Sequence, residues 1–148
     1  MSDATVRTYD PSEVVVSIAG PTIGIMVFAG YADGTFVKIT RSGDAFDKKR
    51  GADGTVDRIN KNAVDFEAEL SLKRTSPMNA VLSGLLALDQ LKNAGIFALT
   101  IKDNSGASLF EAPQAWIKKD PDVEYADSLG NYTWKFDTGA AVSLIAGN

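Results

Sequence analysis

The fold is decided by VDFEAELSLK at 64–73 and SPMNAVLSGLLALDQLKNAG at 76–95. The first segment alternates: Val64, Phe66, Ala68, Leu70 and Leu72 point one way, and Asp65, Glu67, Glu69, Ser71 and Lys73 the other. A period of two is the signature of a strand, here with one apolar and one acidic face. A one-residue slip would bury three carboxylates, so the apolar set is expected to face the core and Asp65, Glu67 and Glu69 to face water. The second segment reads as a helix with Ser76 as N-cap, Pro77 in the first helical position and Gly95 as the stop. Met78, Val81, Leu82, Leu85, Leu88 and Leu91 recur at three- and four-residue spacing and make an apolar stripe, widened by Leu86 and Ala87. Ser76, Met78, Leu82, Leu85 and Leu88 are therefore the expected packing residues of the helix. The stripe plugs or caps a β core, or leaves one edge for a neighbouring subunit.

Upstream, DAFDKKRGADGTVDRINKN at 44–62 is polar and carries charge of both signs. Asp44, Asp47, Lys48, Lys49, Arg50, Asp53 and Arg58 fall in it, and it reads as a long loop over about 42–61. A loop of this length inside a compact domain is uncommon and usually functional or disordered. Its ADGT at 52–55 repeats ADGT at 32–35. Two uses of one favourable turn explain this better than a calcium loop, which needs a longer ladder of oxygen ligands than Asp53 and Asp57 supply. At 32–35, Asp33-Gly34 predicts a tight hairpin turn between flanking strands.

The remaining chain reads as short strands: 14–18, 23–28, 35–41, 96–103, Leu109-Phe110, 115–118 after Pro113, and a late strand. In that late strand Tyr132, Trp134 and Phe136 alternate with Thr133, Lys135 and Asp137, and a final piece follows at 140–145. Seven or eight strands and one helix predict a mainly β, antiparallel sandwich or barrel with one flanking α-helix, forming a single domain over 1–148.

Composition narrows the function. The chain has 148 residues, a net charge of −4, no histidine and no cysteine. Thiol nucleophiles, Ser-His-Asp triads, disulfides and the usual zinc, haem and iron–sulfur sites are excluded. No cofactor is expected, and a mild negative charge argues against duplex binding through a basic patch. The start lacks the basic region of a secretory signal. The uncharged run 14–32 is broken by Gly20-Pro21, Gly24 and Gly30, which favours buried strands over a membrane span.

Catalytic readings are weak. Asp44 and Asp47 beside the basic trio match no ligand or nucleophile spacing. Asp65, Glu67 and Glu69 share a strand face but show no sign of a cleft, so they suit a negative stripe better than a glycosidase pair. Tyr31, Trp116, Tyr132 and Trp134 offer stacking surfaces, although the 132–136 alternation favours core. A monomeric β-sandwich carbohydrate-binding module using Trp116 or Trp134 remains an alternative.

Several stretches together resemble the tail tube proteins of contractile-tailed bacteriophages: ADGTF at 32–36, DAFDKKRGADG at 44–54, the strand to Leu72, SPMNAVLSGLLALD at 76–89, FALTIKD at 97–103, AWIKKDPDVE at 115–124 and the closing GN at 147–148. The resemblance runs from about Val14 to the end. It implies a structural virion protein, not an enzyme, made in the host cytoplasm and built into the tail. It further implies hexameric rings with a joined inner barrel, stacked into a hollow tube through which DNA passes. Implied partners are the sheath, baseplate, tail terminator and tape measure proteins, with DNA in the lumen and no sequence-specific contact. In this setting the 42–61 loop is expected at ring-to-ring contacts and Asp65, Glu67 and Glu69 in the lumen. The tubes of phage-tail-like bacteriocins and of secretion systems share these features and are the nearest alternative.

Overall fold

The computed structural model describes residues 6, 8–21, 23–32 and 34–146. The expected antiparallel, mainly β fold with one flanking helix is present, built from ten strands among the described residues. They are β1 (Val14–Gly20), β2 (Gly24–Val27), β3 (Val37–Arg41), β4 (Phe46–Arg50), β5 (Val56–Asn60), β6 (Phe66–Lys73), β7 (Phe97–Asp103), β8 (Leu109–Lys119), β9 (Asn131–Thr138) and β10 (Val142–Leu144). The helix α1 spans Met78–Lys92.

Eight strands make one sheet in the order β2-β1-β7-β8-β9-β6-β3, with β10 added to β8 beyond the end of β9. The sheet curls into a barrel. Val14 of β1 and Ile39 of β3, far apart in strand order, line one small cavity of about 110 Å³ with Ile101 and Leu144. The segment 28–32 bridges the remaining gap. Phe28 N–H donates to the Val16 carbonyl, Lys73 N–H to the Gly30 carbonyl and Ala32 N–H to the Ser71 carbonyl. The Tyr31 hydroxyl accepts from Val16 N–H at 3.2 Å. Gly30 has φ +76°, and a Cβ there would stand 2.8 Å from the Ser76 side chain, so the close crossing requires glycine.

The core lies inside the curl. Phe66, Ala68, Leu70 and Leu72 are buried with Phe97, Leu99 and Ile101 of β7, Trp134 and Phe136 of β9, and Met78, Leu82 and Leu85 of α1. Edge-to-face ring pairs join Phe66 to Phe110 and Phe97 to Phe136, the geometry that aromatic quadrupoles favour.

Several expectations need correction. Val64 precedes the strand and is 49% exposed, so the buried set begins at Phe66. Residues 42–61 are not an irregular loop: β4 and β5 form a two-stranded ribbon whose ADGT turn at 52–55 carries Gly54 at φ +85°. The ADGT at 32–35 does not join a hairpin, because β2 pairs with β1 and β3 with β6; its Asp33 lies outside the described residues, as do 147–148. The two short strands around Pro113 are one strand, β8. Its register against β7 slips between Leu99↔Ala112 and Phe97↔Ala115, and a bulge is where proline is tolerated within a sheet.

At the helix, Pro77 already has helical dihedrals and occupies the cap position; one residue earlier, Ser76 Oγ accepts from Met78 N–H at 3.3 Å and donates to the Ala29 carbonyl at 2.7 Å. The helix stops at Asn93, in the left-handed conformation at φ 53°, rather than at Gly95. Gly95 instead packs on Asp89, whose Oδ1 accepts from its N–H. Leu88 is half-buried and Leu91 is 77% exposed, so the expected stripe leaves the core before its end.

Candidate functional site

Three surfaces stand out. The first is the outer face of β3, β6, β9 and β8. Because β6 alternates with its apolar set inward, Glu67 and Glu69 face out, with Asp65 exposed just before the strand. Cross-strand pairing sets Lys38 and Lys135 beside Glu69, and Asp137 beside Glu67. Lys118 Nζ lies 3.0 Å from Glu67 and 4.0 Å from Asp137. The expected dense negative stripe is therefore a chequerboard in which Lys38, Lys118 and Lys135 offset the carboxylates. A strand's own alternation cannot reveal which charges its neighbours bring. The hydrogen bond to Glu67, then the nearby Asp137, hold the Lys118 ammonium above its ordinary pKa. Asp137 titrates higher than an ordinary aspartate, first through burial and also through repulsion by Glu67 and Asp65, which together outweigh Lys118.

The second surface is the ribbon. Every residue of β4 and β5 is exposed. The pairs Phe46↔Asn60, Lys48↔Arg58 and Arg50↔Val56 share one face, and Asp47↔Ile59 and Lys49↔Asp57 share the other. Arg58 stacks over the Phe46 ring at 4.3 Å. Asp53 Oδ1 accepts from the Thr55 N–H and hydroxyl at the turn, which lowers its pKa. Asp44 stands exposed just before β4.

The third surface comprises edges and apolar positions. The margins of the sheet are β2 and β3, and Ile25 and Val27 of β2 are exposed, as are Val142, Leu144 and Ile145 near β10. An exposed apolar edge strand is a template for pairing with another chain.

The structure also brings forward residues that pattern reading missed. Asn79 shares its amide among the carbonyls of Lys73, Arg74 and Ser76, and its Oδ1 accepts from Trp134 Nε1 at 3.0 Å, tying α1 to β6 and β9. Arg74 lies over Tyr132 and Tyr125 and donates to the Glu124 carbonyl, fastening the 120–130 connection to the body. Trp134 is core, while Trp116 is half-buried on the charged face. Among the described residues no group of carboxylates, histidines or cysteines is placed to hold a metal, and no helix is long and apolar enough to cross a membrane.

The model of the bacteriophage PhiTE tail tube protein family matches residues 6–146. Structural protein ORF10 of Pseudomonas phage KPP10 is 32% identical over 130 residues, covering 86% of this chain and 75% of its own length. Among solved structures, the fold is similar to that of the anti-feeding prophage tube-terminating cap, with TM-score 0.62 and 10% identity over 99% of this chain and 97% of that one. It is similar also to the sheath–tube complex of the extracellular contractile injection system PVC, with TM-score 0.61 and 11% identity over 93% and 91%. With a family match over almost the whole chain, this protein belongs to the bacteriophage PhiTE tail tube family and is a structural tail protein rather than an enzyme.

Proposed function

We propose that the chain is the repeating subunit of a contractile phage's tail tube, assembling into hexameric rings that stack into the conduit for DNA. The observation that carries this reading is the pair of sheet margins, β2 and β3, which have no strand on their outer edges among the described residues, β2 being apolar and exposed. Such margins are satisfied when neighbouring subunits join sheet to sheet around a ring. In that ring the charged face of β3, β6, β9 and β8, with Asp65, Glu67 and Glu69, lines the lumen. Its alternating signs give DNA no continuous cationic track to adhere to. The ribbon, with Lys48, Lys49, Arg50 and Arg58, makes the ring-to-ring contact. The sheath and baseplate bind the outside, a terminator closes the end, and a tape measure protein occupies the lumen before DNA. The subunit is made in the host cytoplasm and resides in the virion tail.

The likeness to a tube-terminating cap and to a sheath–tube terminator supports a second reading, a terminator that forms one ring and does not stack. Negative-stain microscopy of the purified protein separates the two: tubes or stacked rings support the tube subunit, single rings the terminator. A monomer on a sizing column that binds a glycan overturns both. Deleting 45–57 is expected to leave a folded subunit that no longer makes tubes. Replacing Asp65, Glu67 and Glu69 together by Lys is expected to slow DNA ejection in a salt-dependent way.

A further inference from the structure

We propose that the cationic face of the β4–β5 ribbon docks on the acidic 120–130 connection of a second copy of this chain in the next ring, which gives the stack a head-to-tail polarity. The inference rests on the ring-stacking role proposed above and names the surface that receives the ribbon.

The ribbon alone is an unfavourable object. A two-stranded hairpin without a packed face is marginal in water. Lys48 stands directly opposite Arg58, with Arg50 on the same face and no carboxylate among the six residues there. Like charges directly opposite one another destabilise a ladder. Among the described residues, none of these three cations has a carboxylate within ion-pair distance. The opposite face instead sets Lys49 across from Asp57. That face carries Asp47 and Asp57 against Lys49, whereas the cationic face has no anionic partner among the described residues. The cationic face also exposes Phe46 and Val56.

The complementary surface is in the same sequence. DPDVEYADSLG at 120–130 contains Asp120, Asp122, Glu124 and Asp127 and no Lys or Arg. It also exposes Val123, Tyr125 and Leu129, so apolar side chains accompany the opposite charge, as they do on the ribbon. Arg74 fixes the segment through Tyr125, Tyr132 and the Glu124 carbonyl, so the surface is presented rather than left loose. Asp122 has Lys119 at 3.8 Å, just outside the segment.

The topology attaches the two surfaces at opposite ends of one subunit's sheet. The ribbon leaves the sheet where Arg41 pairs with Phe66, at the start of β6. The acidic connection enters β9 where Asn131 pairs with Lys73, at the end of β6. The two lie at opposite ends of an eight-residue strand, roughly 23 Å apart along its axis. A surface at one end complementary to a different surface at the other is a heterologous contact, which propagates along an axis instead of closing.

The test begins with native assemblies. Zero-length carbodiimide coupling of wild-type tubes, read by mass spectrometry, is expected to join Lys48 to carboxylates within 120–127. Coupling of Lys48 only to other carboxylates, or to none, overturns the pairing. Charge exchange gives the second arm. Lys48, Arg50 and Arg58 together to Glu, or Asp120, Asp122, Glu124 and Asp127 together to Lys, should each cut pelletable tube by about tenfold or more, because like charges then face each other. Rings and the subunit melting curve should stay intact. Chains carrying both exchanges should recover tubes; failure to recover them while each variant remains folded and annular overturns the pairing. If wild-type protein makes no tubes, the stacking role itself fails. If the ribbon exchange alone blocks tubes and the loop exchange does not, the ribbon stacks on some other surface. Salt-sensitive retention of wild-type subunits on duplex DNA, lost in the ribbon exchange, with tube assembly unaffected by either exchange, would assign the cationic face to nucleic acid instead.

Discussion

Strand β6 and the β4–β5 ribbon are joined by five residues and obey opposite rules. In β6 every second side chain is buried, so register is fixed by the cost of burying carboxylates. In the ribbon every side chain is exposed, and register rests on the ladder, the Gly51–Thr55 turn and the Arg58–Phe46 stacking, with no burial to enforce it. The first is specified by the subunit. The second leaves its specification to whatever covers it.

The largest test of this contrast is truncation. Leu82→Ala, at a fully buried site, is expected to cost about 2–5 kcal/mol, and Phe136→Ala about 3–5 kcal/mol, in thermal or urea unfolding of the isolated subunit. Ile59→Ala on the ribbon should leave that unfolding curve within about 0.5 kcal/mol of wild type; a loss equal to that of Leu82→Ala would mean that the ribbon is part of the core. A smaller effect comes from the strip that closes the barrel. Tyr31→Phe removes the acceptor for Val16 N–H, with an expected loss of about 1–3 kcal/mol by the same measurement. Ser76→Ala should cost about 1 kcal/mol, through both the Met78 and the Ala29 contacts.

The smallest effects are protonic. Asp53 has its pKa lowered by Thr55, so its contribution to the ribbon turn is present above the ordinary aspartate range of about 3.9. That contribution is lost as pH falls through the lower, folded value. Amide exchange at Thr55, corrected for intrinsic rate, should accelerate in that window without a change in the global melt. Asp137 behaves oppositely: with its folded pKa raised, its ionised form disfavours the fold at neutral pH, and the penalty is relieved on acidification. Asp137→Asn should therefore leave the melting temperature unchanged or slightly higher at neutral pH; a clear drop would show that the Lys118 contact dominates.

Legibility in the sequence followed the same division. The alternation from Phe66 to Leu72 and from Tyr132 to Phe136 gave strands and buried faces correctly, because burial imposes the period. The helix was equally plain from its apolar spacing, though its stop moved to Asn93, since left-handed asparagine competes with glycine. The two ADGT copies show the limit. The copy at 52–55 turns a hairpin, whereas the strands flanking 32–35 do not pair with each other: β2 pairs back onto its sequence neighbour β1 and β3 pairs forward onto β6. The ribbon read as a loop since no buried face marks it. The lysines that break the acidic stripe arrive from three other strands, and no local pattern announces them.

One feature of the sheet bears on how the subunit yields under load. β8 is bonded along one edge to β7 and along the other first to β10 and then to β9. A pull along the strand axis must therefore shear ladders on both sides at once, whereas β2 is held along one edge through four pairs. The subunit should give way from its margins inward, with β2 peeling first and the amides of β8 exchanging with solvent last. In the proposed tube, that order would leave the barrel wall intact after its margins have begun to open.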